Sequence, residues 1–190
     1  LILAMIVCIV LGMGLPATAA YIIGAAVLAP SLIQLGVATM SAHIFVFYYS
    51  ALSNITPPVC SAVYVSSNLA QSKWFKTGLL SCLIALPVFI IPFAFVYCNG
   101  MLFLPGSGIG ETLFAFVSAG VGVLAVSLGV AGYFISNINI VYRIIMVICG
   151  ILMVTPFIIP SIAAIAVFAV IMLLSILGKN KATVAVEKNQ

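Results

Sequence analysis

Two adjacent prolines, Pro57 and Pro58, interrupt an apolar segment that extends over about residues 38–70. As one helix this segment would be about 50 Å long, far more than the roughly 30 Å hydrocarbon core of a bilayer. Proline has no N–H group and disfavours helical geometry at the residue before it, so the carbonyls of Ser53 and Asn54 lose their helical donors. The sequence therefore predicts a broken helix over residues 38–70.

The composition places this broken helix in a membrane. Hydrophobic residues make up 66% of the chain and charged residues 4%, and the charged residues before Gly178 are Lys73, Lys76, Glu111 and Arg143. A water-soluble domain of this length needs far more charge, so we predict an all-α polytopic membrane protein without a nucleic-acid partner. Irregular backbone at membrane depth is tolerated where it is buried or lines a polar cavity, and transporters build ion and substrate sites from it.

A second interruption lies near the start of the chain, at Gly12-Met13-Gly14-Leu15-Pro16. It separates an apolar arm over residues 1–11 from another over residues 17–29, which we expect Pro30 to stop. Each arm is too short to cross a bilayer alone. We therefore predict a re-entrant helical hairpin over residues 1–30.

The hairpin turn and the break offer the same chemistry. Pro16 removes the helical donor of the Gly12 carbonyl, and Gly14 permits left-handed geometry. Each motif also has a nearby hydroxyl, from Thr18 or Thr56, and the positive N-terminal end of the helix that follows. Carbonyl and hydroxyl oxygens suit a sodium ion, and helix N-termini suit a carboxylate.

Further membrane segments are predicted after the broken helix. Lysines in the loop before them and in the tail place that loop and the C-terminus in the cytoplasm. Small residues at Ser118, Gly122, Ala125 and Gly129 predict close helix contact. The segments are a transmembrane helix at 77–98 kinked by Pro87 and Pro92, another at 112–132, a helical hairpin or two short spans at 143–178 turned at Pro156 to Pro160, and a cytoplasmic tail at 179–190.

The hairpin motif, the motif Ser53-Asn54-Ile55-Thr56-Pro57-Pro58 and the stretch Ala42-His43-Ile44-Phe45-Val46-Phe47-Tyr48-Tyr49 between them resemble a known family. The family is the large membrane (permease) subunit of tripartite ATP-independent periplasmic (TRAP) transporters, and within it the fused TAXI type. The resemblance is densest over residues 12–105. It implies an elevator-type ion-transporter fold of two inverted repeats, of which this chain matches the second. We therefore expect a C-terminal portion of a larger permease that does not transport alone.

The resemblance also implies a function and its partners. It implies secondary active symport of an organic anion, a carboxylate, delivered by an extracytoplasmic substrate-binding protein. The other implied partners are the N-terminal part of the permease with its small membrane subunit region, and the lipid bilayer of a prokaryotic cell inner membrane. No cofactor is implied beyond the coupling ion, sodium or proton. Sodium is favoured because the motifs contain neutral oxygens and no titratable group.

Carried over by motif, the site residues form two groups. His43 is left out, since charging a buried histidine is costly and a structural role is the commoner one. Sodium would be held mainly through backbone carbonyls of Gly12, Ser53 and Asn54, together with Thr56. The full set is Gly12, Gly14, Pro16 and Thr18 at the hairpin tip, and Ser53, Asn54, Thr56 and Pro57 in the unwound segment.

Two other functional classes compete with transport. A membrane scaffold or assembly subunit would use the broken helix only for packing, and it predicts that Asn54 and Thr56 tolerate apolar replacements of similar size. An intramembrane enzyme has little support, because the chain has no paired carboxylates, no metal-ligand spacing and no Ser/His arrangement at helical spacing. The five cysteines are scattered and are expected to be buried free thiols.

Overall fold

A computed structural model describes residues 1–103, 108–133, 138–154 and 160–173 of the chain. These residues form α-helices and no β-strand, as the sequence predicts for an all-α protein. Short 3-10 turns occupy Ser53–Ile55 and Asn99–Leu102. The α-helices are α1 (Ile2–Gly12), α2 (Ala17–Gln34), α3 (Thr39–Leu52), α4 (Ser61–Leu69), α5 (Trp74–Ile84), α6 (Leu86–Tyr97), α7 (Ile109–Ala131), α8 (Ile140–Met153) and α9 (Pro160–Leu173).

The chain divides into two compact units, Leu1–Thr112 and Leu113–Gln190. The core of the first unit lies where α1, α2 and α3 pack together, with α6 against α3. Phe45 and Tyr49 are completely buried there, and both rings contact Phe93 of α6 edge to face. The Tyr49 hydroxyl donates to the Phe89 carbonyl at 2.6 Å, so a partly buried hydrogen bond also joins α3 to α6.

The interruption that the prolines predict is present. Helix α3 ends at Leu52, the chain makes a 3-10 turn over Ser53–Ile55, and α4 begins only at Ser61. Cys60, the residue before α4, has a left-handed backbone with φ of 32°. Two prolines in succession cannot donate backbone hydrogen bonds, so the helix cannot continue through them.

The prediction that Pro30 stops the second hairpin arm is wrong. Helix α2 continues through Pro30 to Gln34, which gives it 18 residues and makes it long enough to cross a membrane. An interior proline costs a helix about 3 kcal/mol, but burying a leucine recovers about 1.5–3 kcal/mol. Ala29 and Leu32, on either side of Pro30, are both buried, and the Ser31 hydroxyl donates to the Val27 carbonyl at 3.2 Å. Tertiary packing therefore outweighs the helix-breaking tendency.

The segment predicted as one kinked helix over residues 77–98 is a bent pair. Helices α5 and α6 meet at Ala85 with a bend of 45°. Pro87 has no N–H group for the Leu83 carbonyl, so the helix breaks just before it. By length and composition, α2 and Thr112–Ala131 of α7 qualify as membrane spans among the described residues, and the bent pair qualifies if counted as one span.

In the second unit, the predicted small-residue surface of α7 packs closely on α8. A Cβ atom on Gly122 would lie 2.9 Å from the Gly150 carbonyl oxygen, and the Ser118 hydroxyl donates to the Met153 carbonyl at 2.6 Å. The Arg143 guanidinium donates to two carbonyls near the C-terminal end of α7, a position where a cation stabilises a helix.

Two helices, α8 and α9, lie within the predicted segment 143–178, and both are shorter than 18 residues. The 14 residues of α8 reach about 21 Å, which is less than the roughly 30 Å of a bilayer core. The turn predicted at Pro156 to Pro160 lies outside the described residues except for Pro160, where α9 begins. Residues 174–178 and the predicted tail at 179–190 also lie outside them.

Candidate functional site

The hairpin turn and the break are in direct contact, although 41 positions of sequence separate Gly12 from Ser53 (53 − 12). A Cβ atom placed on Gly12 would lie 2.8 Å from the Ser53 Cβ and closer still to its hydroxyl oxygen. Both residues are buried. Only a residue without a side chain allows the end of α1 to approach the start of the break this closely.

A second glycine extends this contact to the far side of the break. Gly14 has φ of 78°, a left-handed geometry that favours glycine, and a Cβ atom there would lie 3.6 Å from Val59. The turn between α1 and α2 therefore lies against the irregular segment between α3 and α4.

Helix α5 supports the break from another direction. A Cβ atom on Gly78 would lie 3.2 Å from both Pro57 Cγ and Cys60 Sγ. One turn later, the Cys82 thiol lies 3.6 Å from the Ile55 carbonyl oxygen. The break is therefore packed between the hairpin turn and α5.

The expectation that proline leaves the Gly12 and Ser53 carbonyls unpaired is wrong. The Leu15 N–H donates to the Gly12 carbonyl at 3.2 Å, and the Thr56 N–H donates to the Ser53 carbonyl at 3.3 Å. Both are turn hydrogen bonds between residues three apart, which replace the helical bond between residues four apart. Each carbonyl oxygen has two lone pairs, so one lone pair remains for another ligand.

The polar side chains of the break bond back to the last turn of α3. The Thr56 hydroxyl donates to the Leu52 carbonyl at 2.8 Å, and the Ser53 hydroxyl donates to the Ser50 carbonyl at 2.7 Å. The Asn54 amide donates to the Ala51 carbonyl at 3.3 Å. Because the two hydroxyls donate their hydrogen bonds to backbone carbonyls, the lone pairs of their oxygens remain available to other ligands.

Asn54 also links the break to α4. Its side-chain oxygen accepts a hydrogen bond from the Ser61 hydroxyl at 2.9 Å, and Ser61 is the first residue of α4. The amide thereby joins the end of the 3-10 turn to the helix that follows. The N-terminal end of α4, with the partial positive charge of the helix dipole, is held next to the break.

The structure does not bring all eight predicted residues together. Gly12, Gly14, Ser53, Asn54, Thr56 and Pro57 belong to the contact between the turn and the break or lie within the break. Pro16 and Thr18 are exposed at the start of α2, and no hydrogen bond among the described residues joins the Thr18 hydroxyl to the break.

His43 lies apart from this site, near the start of α3. Its Nδ1 is 3.1 Å from the Tyr21 hydroxyl of α2, and ten residues, about 15 Å of helix, separate it from Ser53. Sequence reasoning left His43 out of the site, and its partner in α2 gives it a packing role.

Ser50 lies one turn before the break and is not part of either motif. Its hydroxyl is buried, and it has no hydrogen-bond partner within the part of the chain that the structure describes. Among those residues, Ser41 at the other end of α3 is also buried without a partner. Such a group costs about 1–3 kcal/mol relative to a paired one. The sequence contains no signal that separates these serines from the others.

The site carries no formal charge of its own. Neither the hairpin turn nor the break contains a charged residue. Within the described residues, no three His, Cys, Asp or Glu side chains lie close enough together to hold a metal ion. Any ligand here would be recognised by neutral oxygens, backbone N–H groups and the dipoles of α2 and α4.

Apolar helices, an interrupted helix and a hairpin turn packed against it are features of a polytopic membrane protein. Residues 1–104 match the family model described as "Tripartite ATP-independent periplasmic transporter, DctM component". This match covers more than half of the 190 residues, and the protein therefore belongs to that family of TRAP transporter permeases. Neither the curated proteins nor the solved structures include a match to this chain.

The family match agrees with the resemblance of the two motifs and covers both of them. It identifies a permease component of a tripartite transport system, which is a transporter family and not an enzyme family. Residues 105–190 lie beyond the match.

Proposed function

We propose that this chain supplies the second hairpin and broken helix of a TAXI-type TRAP permease, which imports an organic anion together with a cation. The anion is a carboxylate, delivered by an extracytoplasmic substrate-binding protein, and the cation is sodium. The hairpin and the broken helix move together across the inner membrane in an elevator motion, alongside the N-terminal part of the permease. The loop between α4 and α5 and the C-terminus face the cytoplasm.

One observation carries this proposal, the contact between Gly12 and Ser53. It joins the two motifs that supply neutral oxygens, and it joins them through backbone and Cβ atoms that have no rotational freedom. The Gly12 and Ser53 carbonyls and the Thr56 hydroxyl each keep lone pairs after their internal hydrogen bonds. Neutral oxygens without a titratable group favour sodium over a proton.

The N-terminal end of α4 supports a carboxylate as the transported group. This helix begins at Ser61, directly after the break, and its first-turn N–H groups lack helical acceptors. Helix α2 begins in the same way after the hairpin turn. Such a helix end attracts an anion, and a cation bound beside it would raise that attraction.

Uptake of a radiolabelled carboxylate into proteoliposomes tests the proposal. The permease and its binding protein are reconstituted with and without an inward sodium gradient, and parent and Thr56→Val protein are compared. We expect sodium-dependent uptake that Thr56→Val reduces at least about tenfold, as expected for a lost ligand to a charged group.

Thr77→Val is the matched control. The Thr77 hydroxyl donates to the Lys73 carbonyl at 3.1 Å, the same bond between residues four apart that Thr56 makes to Leu52. The control therefore loses the same kind of bond to a backbone carbonyl, and also its contact with the Ser72 hydroxyl at 3.1 Å, at the exposed start of α5. Equal uptake by the two variants would contradict a role of Thr56 in the site.

A non-transporting scaffold or assembly subunit is the second candidate. It is favoured by the hydrogen bonds from the break to the end of α3, because Ser53, Asn54 and Thr56 all have partners within this chain. A scaffold predicts that Asn54→Leu and Thr56→Val assemble normally and leave uptake unchanged. Loss of sodium-dependent uptake with normal assembly would exclude it.

A further inference from the structure

The site contains one buried hydroxyl whose bonding is incomplete. Ser50 is 1% exposed, and its hydroxyl oxygen has no hydrogen-bond partner in the described part of the chain. It lies three residues before Ser53, on the last turn of α3 before the break. The Ser50 carbonyl already accepts a hydrogen bond from the Ser53 hydroxyl.

Small residues surround these two serines. The Ser50 hydroxyl oxygen is 3.7 Å from where a Cβ atom on Gly24 would lie, and Ala20, one turn earlier on α2, lies 3.3 Å from a Cβ atom on Gly12. Gly12 in turn contacts Ser53. We call Gly12, Ala20, Gly24, Ser50 and Ser53 the serine junction, where α1, α2 and α3 meet.

The serine junction offers oxygens and no charge. The Ser53 hydroxyl donates its hydrogen bond to the Ser50 carbonyl, so its lone pairs can accept a hydrogen bond or bind a cation. The Ser50 hydroxyl oxygen has no hydrogen-bond partner in the described residues, so its lone pairs are also available. Neutral hydroxyl and carbonyl ligands without carboxylates suit a hard monovalent cation.

We propose that the Ser50 hydroxyl is a further ligand of the coupling cation, next to the residues of the hairpin turn and the break. This inference rests on the sodium coupling proposed above and adds a ligand from the α3 side of the serine junction. It gives the buried, unpartnered hydroxyl a function that neither packing nor the local hydrogen bonds supply.

Sodium binding can be measured without transport. Thermal unfolding of the purified permease in detergent is followed while sodium chloride replaces choline chloride at constant ionic strength, because a ligand that binds the folded state raises the unfolding temperature. Parent, Ser50→Ala, Ser50→Thr and Ser41→Ala are compared. Ser41→Ala is the matched control, since it removes the other buried, unpartnered hydroxyl of α3, nine residues from Ser50.

We expect the sodium concentration at half-maximal stabilisation to rise at least about tenfold in Ser50→Ala and to remain near the parent value in Ser41→Ala. Ser50→Thr keeps a hydroxyl and should restore much of the response. The sodium dependence of uptake should shift in the same order.

Two results would overturn the inference. If Ser50→Ala keeps the parent response to sodium and unfolds at a higher temperature, the hydroxyl is only an unsatisfied buried group and not a ligand. The proposed sodium coupling would not be affected by that result. If the parent itself shows no response to sodium in unfolding or in uptake, the proposed coupling fails and this assignment fails with it.

Discussion

A single methyl group at Gly12 would probe the contact on which the candidate site depends. In Gly12→Ala the new carbon would lie 2.8 Å from the Ser53 Cβ and 3.3 Å from the Ala20 Cβ, whereas carbon atoms pack best about 3.5–4.0 Å apart. Both contacted atoms are fixed by their backbone and cannot rotate away. The end of α1 must therefore move by roughly 1 Å.

The expected loss of stability follows from two opposing effects. Overpacking a buried position costs about 1–3 kcal/mol, and replacing a helical glycine by alanine recovers up to about 1 kcal/mol. Gly12 is the last residue of α1, where the recovery is smaller. We expect Gly12→Ala to reduce the free energy of unfolding by about 1–2 kcal/mol, which lowers the midpoint by roughly 2–8 °C for a chain of this size.

Thermal unfolding in detergent, followed by fluorescence, measures this loss. Gly120→Ala is the control, because Gly120 is helical and a Cβ atom there meets nothing within 4 Å, so this variant should be unchanged or more stable. In a Ser53→Gly background, which removes the contacted atoms, the penalty of Gly12→Ala should fall by at least about half. A Gly12→Ala protein as stable as Gly120→Ala, or a penalty undiminished by Ser53→Gly, would refute the contact.

Three further substitutions test the packing, each by thermal unfolding in the same detergent. Gly150→Ala would place a methyl group 2.6 Å from the Gly122 carbonyl oxygen. Because backbone atoms cannot rotate away, we expect the free energy of unfolding to fall by about 2–3 kcal/mol. An unchanged free energy would contradict the close contact of α7 and α8. Tyr49→Phe removes the partly buried hydrogen bond to the Phe89 carbonyl and should cost about 1 kcal/mol, with Tyr64→Phe, an exposed tyrosine, as control. Arg143→Gln should lose about 1 kcal/mol because the carbonyls at the end of α7 lose a charged donor, and equal stability would show that water replaces it.

The break could be predicted from sequence because its cause is local. Two adjacent prolines remove backbone donors whatever surrounds them, and the helix does end at Leu52. The close packing of α7 was predictable for a similar reason, since small residues at helical spacing form one face. In both cases the information lies within a few residues of sequence.

The predictions that failed depended on tertiary packing or on turn geometry. Pro30 does not stop α2, because Ala29 and Leu32 on either side of it are buried in the core. The Gly12 carbonyl is paired by a turn hydrogen bond that a helical count of donors does not include. Tertiary packing and turn geometry decide these points, and neither is encoded by spacing along the chain.

Which residues lie together at the candidate site also depends on the fold. Gly12 and Ser53 could be assigned to one site only through the family resemblance, since nothing local joins positions 41 apart. Thr18, which the resemblance includes, is exposed, whereas Ser50, which we propose as a further ligand, is buried beside Gly24. A motif specifies which residue types occur together, whereas the packing of α2 on α3 determines which oxygens are buried together.

The serine junction makes the two functional classes distinguishable by one variant. Its members have at most two side-chain heavy atoms, so the hairpin turn and the break are in close contact, and the cation ligands proposed from both would be held in fixed positions. A scaffold with Gly12→Ala would lose only packing energy, because a helix end can shift by about 1 Å and still assemble. A cation site with the same shift loses its ligand geometry as well. The response of Gly12→Ala to sodium, compared with that of Gly150→Ala, which disturbs the packing of α7 on α8, therefore separates a cation site from a packing contact.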